Sequence, residues 1–87
     1  MDDYASNVQE LSDFIYSEVA PRLEKSQNVV LYKYAIYPQY KGGGFHIIMT
    51  FGGDSIGDFD VSFRTETVEE VKNRDYDSLI EEAIYNA

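Results

Sequence analysis

The sequence predicts an α+β fold, a two-layer domain in the order α-β-β-β-α, with a three-stranded antiparallel meander and helices packed on one face. Three observations carry this prediction. Apolar residues recur at helical spacing near both ends of the chain. Three runs between them are rich in β-branched and aromatic residues. Glycine-rich turns too short for a crossover helix separate those runs, which makes neighbouring strands antiparallel and leaves both helices to cover one face.

In the first element Val8, Leu11, Ile15, Val19 and Leu23 recur every three or four residues, Tyr4 extends the series backwards and Phe14 widens it. This is a helix with one buried stripe. Pro21 lies within it; because proline lacks an N–H and crowds the preceding turn, the helix must kink there or restart with Pro21 in a first turn. "NVVLYKYAIYP" (28–38) reads as the first strand, and Lys33 on its odd face assigns Val30, Tyr32, Tyr34 and Ile36 to the interior. "FHIIMTF" (45–51) is the second, with Phe45, Ile47, Met49 and Phe51 inward. "FDVSFRT" (59–65) is the third, with Phe59, Val61 and Phe63 inward. Thr67 and Glu70 have capping-box spacing, and Val68 and Val71 open an apolar series that resumes at Leu79, Ile80, Ala83 and Ile84. The intervening "NRDYD" (73–77) is weakly helical. Asp75 or Asp77 can cap a separate last helix, so one bent helix and two short ones both fit.

A chain of 87 residues has room for a single domain, 1–87, and no second core. Its eight Tyr and five Phe argue against disorder despite a net charge of −9. Without cysteine there is neither a disulfide framework nor a thiolate metal site. No apolar run approaches the roughly 18 residues of a membrane span. "MDDYASNVQE" has no apolar core of its own and does not read as a signal peptide, so a cytoplasmic location is expected.

The residue types that carry chemistry point away from catalysis. "YPQYKGGGFHII" (37–48) has the flavour of an RNA-binding strand, but Gly43 stands where a stacking aromatic is needed. The α-β-β-β-α order resembles that of a double-stranded-RNA-binding domain. The stretch that would hold phosphates, "TETVEEVKNRD", however, carries four acids and two bases. His46 is the only histidine and falls on an outward strand position. Asp54, Asp58 and Asp60 shape a turn without calcium-loop spacing. No phosphate or dinucleotide fingerprint is present. The expectation is a protein that is not an enzyme and has no cofactor or metal.

Charge distribution says more. Residues 1–26 hold six acids and two bases, 66–87 hold seven and two, and the strand region 27–65 holds three of each. The excess therefore rides on the helical segments. If 66–84 were one helix, Glu66, Glu70, Asp77 and Glu81 would form a row with Asn73 between Glu70 and Asp77, its i,i+4 neighbours about 5–6 Å apart. Asp3, Glu10, Asp13 and Glu24 would be a counterpart on the first helix. Such rows suit a basic groove and repel nucleic acid and anionic lipid. Tyrosine adds contact area at low entropic cost. The candidate partner-binding residues are thus Glu66, Glu69, Glu70, Asp75, Tyr76, Asp77 and Glu81, with Tyr37 and Tyr40 at the first hairpin tip.

In size, layout and charge the chain resembles several small acidic phage-encoded anti-CRISPR proteins, and more loosely the immunity proteins that plug toxin nucleases. The resemblance implies a non-catalytic inhibitor acting in host cytoplasm. Such a protein binds a basic nucleic-acid-handling partner, such as an effector nuclease, and blocks its nucleic-acid site as a mimic. A homodimerising module is the other reading, with Val29, Leu31 and Ile48 on the open sheet face.

Overall fold

The computed structural model describes residues 4–39 and 43–86. Its elements are α1 (Tyr4–Phe14), a π-helical turn (Ile15–Val19), α2 (Ala20–Gln27), β1 (Val29–Pro38), β2 (Phe45–Gly53), β3 (Phe59–Thr65), α3 (Val68–Lys72) and α4 (Tyr76–Tyr85). The strands form an antiparallel sheet in the order β1-β2-β3, so the fold is α+β as the sequence predicts. One apolar cluster fills the space between sheet and helices. Leu11, Ile15, Val19 and Leu23 come from the N-terminal helical segment, Phe45, Ile47, Met49 and Phe51 from β2, Val61 and Phe63 from β3, and Val71, Tyr76 and Ile80 from the C-terminal helices.

The π turn reconciles the N-terminal stripe with Pro21. On 3.6-residue turns each four-residue step drifts by about 40°, so on one regular helix Leu11 and Leu23 would face about 120° apart. The wider turn, closed by the Ala20 N–H donating to the Ile15 carbonyl, absorbs the drift, and all four are buried. It also leaves Pro21 in the first turn of α2, where a missing N–H is harmless. Asn28, at φ 57°, ψ 41°, then ends the helix and turns the chain into β1.

β1 corrects the sequence reading. A β-bulge between Leu31 and Lys33 leaves Tyr32 without a partner on β2, and the strand changes phase there. Before the bulge Val29 and Leu31 face the core; after it Tyr34 and Ile36 do. Val30 and Tyr32, expected inside, are exposed, and Val29 and Leu31 are not on the open face. Tyr32 lies across Gly52, where a β-carbon would come within 2.4 Å of its ring.

The C-terminal region is two helices. Thr67 caps α3 by accepting from the Glu70 N–H, and Asp75 caps α4 by accepting from the Ser78 N–H. The break has a packing cause: five residues separate Val71 from Tyr76, which on one straight helix would point them about 140° apart. Interrupting the helix at 73–75 lets both reach the core. Lys72 Nζ to Glu10 (2.6 Å) ties α3 to α1, and Arg22, Ser26 and Gln27 donate to Asp77 to tie α2 to α4. Among the described residues no helix is long and apolar enough to cross a membrane.

Candidate partner-binding surface

Where β3 runs into α3, Glu66, Glu69, Glu70 and Asp75 line one open groove with Gln39, Arg64 and Arg74. The hairpin end is locked to this groove. Gln39 donates from Nε2 to the Thr65 carbonyl (3.0 Å) and from its backbone N–H to the Gly44 carbonyl (3.1 Å). Gly44, at φ +87°, lies so close that an added β-carbon would meet the Thr65 carbonyl oxygen and the Glu66 Cα.

Within the groove the acids divide by what they already bind. Glu66 and Glu69 are exposed on the rim. Glu70 is committed locally: its Oε1 accepts from the Thr65 hydroxyl and the Glu66 N–H, both at 2.6 Å, and these bonds hold its carboxyl below the usual range. Asp75 is committed likewise, lowered by the N–H and hydroxyl of Ser78. Arg74 spreads its guanidinium over the Phe63 ring, 4.5 Å from the centroid, so the groove is not purely anionic.

Asp77 and Glu81 lie apart from this groove, on the α4 surface toward α2. Asp77 accepts from the Ser26 hydroxyl, the Gln27 amide and Arg22, which together lower its carboxyl. Glu81 Oε2 accepts from the same Gln27 Nε2 at 3.2 Å and is exposed. The row of Glu66, Glu70, Asp77 and Glu81 that one long helix would have made does not form. Glu66 precedes α3, and Asp77 turns toward α2. On the first helical segment Glu10 is paired with Lys72, Asp13 and Glu24 are exposed, and Asp3 lies outside the described residues.

Tyr76 is a correction. Expected at the surface, it is buried, its ring edge-on to Phe63 at 5.8 Å and its hydroxyl donating to the Val71 carbonyl at 2.6 Å. Burial pushes its phenol well above the usual tyrosine range. Its place in the apolar series, four residues before Ile80, was the available signal. Tyr37 is exposed, beside His46 on the open sheet face (centroids 6.5 Å apart), and Tyr40 lies outside the described residues.

Sequence reasoning passed over Tyr16 and Tyr85 and assigned Tyr4 and Tyr32 to the interior, yet all four are exposed. Tyr16 and Tyr32 flank the edge of β1, and Tyr85 stands with Ile84, Glu81 and Glu82 around a small recess on α4. Tyr85 falls outside the apolar series, which ends at Ile84, and that was the available signal of its exposure; Tyr32 was hidden by the bulge. Among the described residues no three His, Asp or Glu side chains are grouped so as to hold a metal ion. Only Glu10 and Asp77 of the described acids are in ion pairs, so the carboxylates of the helical layer are largely uncompensated. No family model, curated protein sequence or solved structure matches this chain.

Proposed function

We propose that this protein is a non-catalytic inhibitor that binds a basic, nucleic-acid-handling protein and blocks its nucleic-acid site. The observation that supports it is the uncompensated acid on the helical layer. Glu18, Glu24, Glu66, Glu69, Glu81 and Glu82 are all exposed there, and none is in an ion pair with a described residue. A layer of this kind attracts a cationic cleft at long range and offers carboxylates where phosphates would sit. Glu66, Glu69, Glu81 and Glu82 are the residues assigned to contact. Glu70, Asp75 and Asp77 hold local structure and contribute field only.

The test uses immobilised protein to capture partners from host lysate, followed by elution with salt and, separately, with duplex DNA. Capture of a basic nuclease or other nucleic-acid-binding protein, released by either eluant, is the expected result. Joint replacement of Glu66, Glu69, Glu81 and Glu82 by Gln removes four charges without touching a cap, and should weaken capture by at least about tenfold. Capture that survives high salt, or is unchanged in the folded quadruple variant, overturns the reading. Recovery of a toxin nuclease would mark the protein as an immunity factor using the same surface.

A further inference from the structure

The helices leave one sheet face open, and its residues are arranged in rows across the three strands. Tyr37, His46 and Arg64 form one row; Ala35, Ile48 and Ser62 the next; Lys33, Thr50 and Asp60 the third. In contrast to the helical layer, this face carries Lys33 and Arg64 against Asp60, with Val30, Tyr32 and Tyr37 exposed beside them. Ile48 forms part of a shallow depression with Lys33, Tyr37 and Asp60 around it.

The rows are complementary end to end. A half-turn about an axis running along β2, between two facing sheets, keeps each row at its height and exchanges β1 for β3. Lys33 of one copy then stands over Asp60 of the other, twice by symmetry, and Tyr37 stands over Arg64, a cation–π pairing. Ile48 meets Ile48 on the axis. We propose that the open sheet face is the interface of a two-fold homodimer, in which two sheets stack and the acidic helical layers face outward on both sides.

Charge selects the occupant. Two chains of −9 repel through every surface that carries the excess, whereas the sheet face, with Lys33 and Arg64 against Asp60, carries none of it. Aligned sheets pack about 10 Å apart, inclined by about 30°, a range the long stems of Lys33 and Arg64 can span. Three strands about 4.8 Å apart and some seven residues long bury on the order of 1,000 Å² between two copies, at the lower limit for a specific interface. An interface of that size marks the dimer as a weak one.

Sedimentation equilibrium across a wide concentration range tests this. A monomer–dimer equilibrium is expected that tightens as salt rises, because screening relieves the mutual repulsion of the helical layers. Binding of a cationic partner moves the opposite way, so the two readings cannot be confused. Lys33→Asp and Asp60→Lys should each weaken the dimer by at least about tenfold, since each change places two like-charge contacts in the interface. The double exchange should restore it, with circular dichroism confirming that all three variants are folded. A protein that stays monomeric throughout overturns the proposal. So does a dimer indifferent to the single changes, or one that the double exchange fails to restore.

Discussion

Tyr76 shows how a single hydroxyl can serve the core. Its ring supplies the apolar contact with Phe63, and its O–H satisfies the Val71 carbonyl at the end of α3, where a helix leaves such groups without partners. Tyr76→Phe keeps the ring and leaves that carbonyl only the long bond from the Arg74 N–H (3.5 Å), so it should lower stability by about 1 kcal/mol. Tyr76→Ala also opens a cavity and should cost about 3–5 kcal/mol. Urea denaturation of the two variants against the parent measures the difference; a Phe variant as stable as the parent would mean that the hydroxyl contributes nothing, and equal losses that the ring does not. Gly44 is demanding in another way. Its positive φ and its approach to the Thr65 carbonyl leave no space for a side chain. Gly44→Ala should therefore cost about 2 kcal/mol or more and loosen the groove that holds Glu66 and Glu69. The shift in the urea midpoint checks the first effect, and amide exchange at 65–70 the second.

At the scale of elements, the pattern was legible wherever it repeated without interruption. The alternation of Phe59, Val61 and Phe63 in β3 and of Phe45 through Phe51 in β2 maps onto the observed interior residue for residue. β1 defeated the same reasoning because alternation assumes one phase, whereas the bulge at Tyr32 supplies two. Lys33 correctly assigned the second half and misassigned the first. Capping was legible at Thr67 and Asp75, whose short side chains and following acid or serine mark helix starts. The split between α3 and α4 needed an argument that residue spacing contains but propensity does not: Val71 and Tyr76 share a core only if the helix is broken between them. The candidate surface was less legible. Which carboxylates are free depends on tertiary partners, and nothing local to Asp77 announces Ser26 and Gln27, fifty residues away in sequence.

For the whole molecule, charge sets two opposing trends with pH. The net −9 opposes compaction near neutrality, and that opposition fades as pH falls toward the isoelectric point of about 4.3. Glu70, Asp75 and Asp77 act in the other direction. Their carboxyls are lowered in the folded state, so the stability they contribute is complete above their unfolded values, near pH 4, and is lost as pH falls through the lowered ones. Thermal melts from neutral to strongly acid pH should therefore rise to a maximum on the acid side of neutrality and then fall below about pH 4. Asp77→Asn should make that final fall shallower. A melting temperature that declines steadily from neutrality downward would show that self-repulsion is negligible here.

The division of charge between the two layers also gives the molecule a front and a back. Brought near a positively charged support, it should settle helices first, like a magnet on steel. The strand face, with Tyr32 and Tyr37, would then be the side left open to whatever arrives next.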